Sequence, residues 1–120
     1  MANRDKSIIQ HIKGYCNDIA TFIDRFGKDF NIFISDRAYF NAVSMCILQI
    51  GELSGSLSEE YRINTADKIP WSNIRGMRNI VAHDYGSLDE ELVWETATDD
   101  IPVLLDFCIS ELKRMEYTNN

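Results

Sequence analysis

The residues of this sequence best suited to chemistry lie in one short segment, 71–85, which contains Arg78, His83 and Tyr85. Four residues separate the arginine from the histidine, and one residue separates the histidine from the tyrosine. RNA cleavage without a metal ion needs a group that takes the proton from a 2′-hydroxyl and a cation that stabilises charge on the phosphate. Because histidine titrates near neutral pH and a guanidinium stays charged, His83 and Arg78 match these two needs. Tyr85 could bond a phosphate or stack on a base.

A helical wheel divides this segment into an apolar face and a polar face. At about 100° per residue, the apolar face contains Ile74, Met77, Ile80 and Val81, and the opposite face contains Arg75, Asn79 and His83. Arg78 and His83 are about 140° apart, so they flank a polar patch and do not touch as helical neighbours. Asn79 lies one turn before His83 and can orient its imidazole, and Arg75 is a further candidate for substrate contact. An ordinary solvated helix face has the same composition, so the spacing alone leaves both interpretations open.

The length and charge of the chain limit what this segment can belong to. A sequence of 120 residues predicts one globular domain, 1–120, with a single core. Its net charge of -7 argues against nucleic-acid binding through a broad basic surface, because such binding relies on many lysines and arginines. Any contact with RNA is therefore expected to be local to the motif.

The remaining reactive residue types predict no second site. No cluster of His, Cys or carboxylate residues has the spacing of a zinc site, so neither a catalytic metal nor a cofactor is expected. His11 has no comparable neighbours and is predicted to be a surface residue. Three cysteines lie far apart among apolar helical positions and are expected to be reduced core residues: Cys16, Cys46 and Cys108.

Hydropathy predicts a cytoplasmic protein without membrane contact. No apolar run approaches the roughly 20 residues needed to cross a bilayer. The N-terminal residues 1–7 lack the apolar segment of a signal peptide.

Apolar residues recur in alternating steps of four and three, which predicts an all-α, up-and-down bundle of four main helices. The first stripe runs from Ile8 to Phe26 and ends at Gly27. The second runs from Tyr39 to Leu57, after a start signal at Ser35 or Asp36. The apolar residues of 29–34 are predicted to form a loop or a turn of helix, and 58–69 a connection with at most a short helical turn.

The other two predicted helices carry the motif and the C-terminus. Pro70 suits the first position of the motif helix, which is expected to end near Asp84 with Gly86 as its cap. Ser87 and Glu90 form a capping-box pattern before a last stripe that ends at Met115. Pro102 lies inside this last helix and predicts a kink, because it cannot bond to the carbonyl of Thr98.

Three separate segments of the sequence resemble those of the HepT-like members of the HEPN superfamily. They are the segment I-P-W-S-N-I-R-G-M-R-N-I-V-A-H-D-Y, the upstream word Gln49-Ile50-Gly51-Glu52 and the downstream pair Val93-Trp94. The resemblance extends from about Ala38 to Leu105. It implies a HEPN-like helical bundle that forms a homodimer, with the motif helices of two protomers lining a shared cleft.

The resemblance also implies a function. HepT-like proteins act as metal-independent ribonuclease toxins of toxin–antitoxin pairs, partnered by a small nucleotidyltransferase of the MNT type. Arg78 and His83 match the catalytic pair, and Asn79 matches the polar residue that follows the arginine. Tyr85 matches the tyrosine that such an antitoxin modifies with AMP. The alternative is a non-catalytic helical subunit that binds or presents substrate to a nucleotidyltransferase, which the acidic charge of the chain favours.

Overall fold

The computed structural model describes residues 3–76 and 89–118, and every described element is helical. In chain order, the helices are α1 (Asn3–Phe26), α2 (Phe30–Ser35), α3 (Arg37–Ser56), α4 (Glu59–Asn64), α5 (71–76), α6 (Glu90–Glu95) and α7 (Ile101–Thr118). The predicted all-α bundle is confirmed. None of the described helices is long and apolar enough to span a membrane.

Helix α1 is the centre of the bundle, because it packs along both α3 and α7. Of its predicted stripe, Ile8, Ile12 and Ile19 are buried, and Tyr15, Phe22 and Phe26 are partly buried against the core. Fully or nearly fully buried side chains of the three helices include Ile9, Ile12, Ile19, Val43, Ile50 and Leu104. The hydrophobic effect of this three-helix core therefore holds the long elements together, and the short helices attach to its edges.

The turn between α1 and α3 is built as the sequence predicts. Gly27 adopts a φ of 115°, a conformation that favours glycine, and α1 ends at the preceding residue. Asp36 caps α3, because its side chain accepts hydrogen bonds from the backbone N–H groups of Ala38 and Tyr39. The apolar residues between them form the six-residue helix α2. Of the two structures predicted for this segment, a loop or a turn of helix, the structure contains the helix.

An aromatic cluster fixes α2 against the bundle. Phe33 is fully buried, with its ring 5.0 Å from that of Tyr39 and 4.9 Å from that of Trp94. The hydroxyl of Tyr39 donates a hydrogen bond to the carbonyl of Gly27 at 2.9 Å. The pair Val93-Trp94 thus has a packing role, since Val93 is also buried.

Two predicted helix starts differ from the structure. Helix α6 begins at Glu90, and Asp89 caps it by accepting from the N–H of Leu92, whereas Ser87 of the predicted capping box lies outside the described residues. The carbonyl of Pro70 accepts from the N–H of Ile74 at 3.2 Å, so this proline precedes the first helical residue by one position. Both differences follow from local capping bonds that single-residue preferences do not distinguish.

The C-terminal helix is irregular where Pro102 predicts it to be. A π-helical segment, Thr96–Asp100, joins α6 to α7, and the N–H of Ile101 bonds to the carbonyl of Thr96, five residues earlier. Because proline has no N–H, a wider turn just before it tolerates the missing donor.

Candidate active site

Four of the predicted site residues, Arg78, Asn79, His83 and Tyr85, lie outside the described residues. The structure does describe Arg75 and the start of the motif helix, α5. Ile74 is buried and Arg75 is exposed, as the helical wheel predicts for these two positions. The described part of the candidate site is therefore α5, which leads to Arg78 along the chain, and the surfaces beside it.

Trp71 anchors the first turn of α5 in the core. The side chain is almost fully buried, and its ring meets that of Phe107 in α7 edge to face at 5.8 Å. The indole N–H donates a 2.8 Å hydrogen bond to the hydroxyl oxygen of Thr65, which is itself buried. That hydroxyl donates in turn to the carbonyl of Tyr61 at 2.7 Å. Because a buried indole N–H needs an acceptor, Thr65 fixes the orientation of the tryptophan.

The side chain of Tyr61 takes part in a second group of hydrogen bonds, which reaches α7. The phenol of Tyr61 donates to a carboxylate oxygen of Glu111 at 2.7 Å, and Arg114 donates to both oxygens of that carboxylate at 2.9 and 3.0 Å. The hydrogen bonds from Arg114 lower the pKa of Glu111 against the opposing effect of burial. Burial and the neighbouring carboxylate raise the pKa of Tyr61. At neutral pH the phenol of Tyr61 therefore keeps its proton and Glu111 stays a carboxylate, which preserves the hydrogen bonds between them.

A second polar contact ties α4 to the start of α1. Asp5, a buried carboxylate, accepts hydrogen bonds from the backbone N–H and the hydroxyl of Ser58 at 2.8 and 2.7 Å. The hydroxyl oxygen of Ser58 also accepts from the N–H of Tyr61, which caps α4. Thus α1, α4, α5 and α7 converge just before the motif residues.

A polar groove of about 530 Å³ runs between the end of α3 and α5. Its lining includes Gly51, Gly55, Ser56, Ser72, Arg75 and Gly76. The carboxylate-bearing residue Glu52 also lies on it. The groove therefore combines small side chains, hydroxyl groups and charges of both signs beside the polypeptide that leads to Arg78.

The other reactive side chains of the described residues do not form a site. All three cysteines are buried and unpaired, as predicted. Burial raises the pKa of Cys46 to about 11 and that of Cys108 to about 12, so neither is a thiolate at neutral pH. His11 is exposed and its ring bonds to the carbonyl of Ser7, as expected for a surface residue. Within 3–76 and 89–118, no group of His, Cys, Asp and Glu residues could hold a metal ion.

Thr65, Tyr61 and Glu111 are supporting residues that sequence reasoning did not identify. One signal was present for Glu111, because it lies three residues after Cys108 and four before Met115 on the apolar stripe. A carboxylate at such a position needs a buried partner. No comparable signal pointed to Thr65, since its partners are fixed by the packing of α4 against α5.

Comparison with known proteins places these features in one family. The family model described as Ribonuclease HepT-like matches residues 12–111. A protein of Methanocaldococcus jannaschii named "Putative RNase" is 31% identical over 103 residues, covering 85% of this chain and 92% of its own. The "Probable ribonuclease HepT" of Thermococcus cleftensis is 31% identical over 97 residues, covering 77% of this chain and 87% of its own. A "Putative RNase" of Caldanaerobacter subterraneus is 30% identical over 96 residues, covering 80% of this chain and 83% of its own. No solved structure matches the chain.

Proposed function

Because this chain belongs to the HepT-like ribonuclease family, we propose that it is a metal-independent endoribonuclease and the toxin of a toxin–antitoxin pair. The observation that carries the proposal is that the match over residues 12–111 includes the whole Arg78–Tyr85 motif. Ribonuclease activity of the HEPN type is what this family membership supports. The roles of individual residues and the partners below are parts of the proposal.

In this proposal, His83 and Arg78 are the catalytic residues. His83 accepts the proton of the attacking 2′-hydroxyl or returns a proton to the leaving oxygen, and Arg78 stabilises negative charge on the phosphate. Arg75 and Asn79 bind or orient the substrate. No step requires a metal or another cofactor, because general acid–base chemistry and a cation are sufficient for this cleavage.

A homodimer completes the proposed site. Arg78 and His83 are about 140° apart on one helix, so a shared cleft with a second copy would bring the two kinds of residue together. A mixture of Arg78→Ala and His83→Ala protomers tests this idea. If each site combines residues from both protomers, exchange of subunits restores cleavage; if no mixture is active, the shared site is wrong.

The proposed antitoxin is an MNT-type nucleotidyltransferase that adds AMP to Tyr85 in the cytoplasm. Adenylyl groups would add negative charge and bulk beside the cleft and so repel RNA. Coexpression followed by intact-mass measurement should reveal added adenylyl groups on the protein, and Tyr85→Phe should abolish the increase. Retention of the added mass in that variant would place the modification elsewhere.

The central experiment measures cleavage of labelled single-stranded RNA by the purified protein in excess EDTA. We expect cleavage by the unmodified protein and a loss of at least about 100-fold on His83→Ala, as is usual for a general acid–base group. His11→Ala is the matched control, because this second histidine is exposed and bonds to its own helix. Equal cleavage by the two variants would refute the assignment of His83.

The net charge of -7 supports a second candidate function, a non-catalytic subunit that binds or presents substrate to a nucleotidyltransferase. Modification of Tyr85 fits both functions, so cleavage by the unmodified protein is the measurement that separates them. Absence of cleavage at any protein concentration, with intact fold, would favour the subunit.

A further inference from the structure

The polar groove between α3 and α5 is lined on the α3 side by two glycines, Gly51 and Gly55. Gly51 and Gly55 lie one helical turn apart on the same face of α3. Glycine is poorly suited to the interior of a helix, so two on one face need a reason. Gly51 is buried, which accounts for its lack of a side chain, but Gly55 is exposed.

No steric conflict in the described structure requires glycine at position 55. A Cβ atom added there would lie 3.4 Å from Nε of Arg75, which is ordinary contact with the end of a flexible side chain. The φ of Gly55 is also not positive, so the backbone conformation does not require glycine there. The side chain of Arg75 therefore lies over Gly55, and both residues line the groove.

The groups on this groove suit a single phosphate with its ribose. A guanidinium offers a planar fork that fits phosphate oxygens, and Ser56 and Ser72 add hydroxyl groups that can donate or accept. Glu52, which has a polar interaction of its own, also lines this groove. Arg78 follows Arg75 by three positions along the chain, which limits their Cα separation to about 11 Å.

We propose that this groove is a substrate subsite, in which Arg75 binds the phosphate of a nucleotide adjacent to the one that is cleaved. The subsite rests on the proposed function, since it takes single-stranded RNA as the ligand. Gly55 keeps the groove open so that the ribose and phosphate approach the backbone of α3. The subsite contributes to binding of the substrate, whereas Arg78 and His83 perform the chemistry.

The test measures binding of a fluorescent single-stranded RNA by anisotropy, in the His83→Ala background so that the strand stays intact. Gly55→Ala and then Gly55→Leu fill the groove stepwise, and the dissociation constant should rise with side-chain size. Arg75→Gln should raise it about tenfold, the worth of one charge-assisted contact. It should also reduce the dependence of log K on log salt concentration by about 0.7, the value for one phosphate on a single strand.

Two control variants separate this effect from general damage. Gly14→Leu places the same side chain at an exposed helical glycine of α1, where a Cβ meets nothing within 4 Å. Arg25→Gln removes an exposed arginine in the last turn of α1. Asp5, which contacts Ser58 beyond the end of α3, lies in the first turn of α1, at the opposite end of this helix. Both should leave the dissociation constant unchanged within about twofold, a difference of less than about 0.5 kcal/mol.

The outcomes distinguish the subsite from the catalytic proposal. If folded Gly55→Leu binds RNA as tightly as its parent, or if the parent does not bind RNA, the subsite is refuted. If the groove variants weaken binding but the protein with His83 intact does not cleave RNA, the groove stands as an RNA-binding site and the proposed catalysis fails. If Arg75→Gln shows the same dependence of log K on log salt concentration as its parent, Arg75 does not contact a phosphate and its assigned role is overturned.

Discussion

Replacing Thr65 by valine is expected to loosen the start of the motif helix at a measurable cost in stability. The change keeps the shape of the side chain and deletes the hydroxyl oxygen that accepts the indole N–H of Trp71 at 2.8 Å. An unpaired N–H in a buried site costs about 1–3 kcal/mol. The carbonyl of Tyr61 keeps a partner, because it also accepts from the backbone N–H of Thr65 at 3.1 Å.

The methyl group that replaces the hydroxyl offsets part of this cost, since a buried carbon contributes about 0.8 kcal/mol. The net loss in the free energy of unfolding should therefore be about 0.2–2.2 kcal/mol. Urea denaturation of wild type and variant at one protein concentration measures it, which keeps any oligomerisation constant.

A double-mutant cycle shows whether the hydrogen bond is the cause. In a Trp71→Phe background the indole N–H is absent, so Thr65→Val should cost little and the coupling energy should be about 1–2 kcal/mol. Trp94→Phe is the control, because this second tryptophan packs on Phe33 and Tyr39 instead. Equal costs of Thr65→Val in the wild-type protein and in the Trp71→Phe background would refute the reasoning.

Two further predictions concern ionisation. Arg114 lowers the pKa of Glu111, so the carboxylate contributes stability above its ordinary pKa of about 4.5 and loses it as the pH falls through the lowered value. Glu111→Gln should therefore be less stable than wild type at pH 7, and denaturation curves should converge in acid; a constant difference would contradict this. The buried thiols of Cys16, Cys46 and Cys108 should resist iodoacetamide in the native protein and react when urea unfolds it. Mass spectrometry counts the labelled thiols. Rapid labelling of any one of them in the native protein would contradict this prediction.

Sequence periodicity predicted the long helices well because their signals are local. The α1 stripe, Gly27 and the Asp36 cap each depend on residues within a turn or two of the position concerned. The cap of α6 was harder to predict for a related reason. Ser87 and Asp89 are both good caps, and only the folded chain selects the side chain that reaches the N–H of Leu92.

The candidate site divides in the same way. Residue types and spacing identified Arg78, Asn79, His83 and Tyr85, and the helical wheel correctly separated buried Ile74 from exposed Arg75. The supports of the motif helix were not predictable from spacing. Tyr61 and Glu111 are 50 residues apart, so no local pattern indicates that their side chains meet.

The sequence by itself determined the helical class and the helix ends marked by strong local signals, and it supplied the candidate residues for RNA cleavage. These depend on backbone preference, periodic burial and side-chain type, which adjacent residues largely decide. Only the tertiary structure decided that Trp71 is held by Thr65 and that Gly55 and Arg75 line one groove. Such relations depend on how α3, α4, α5 and α7 pack, and packing sums many weak contacts between residues that are distant along the chain.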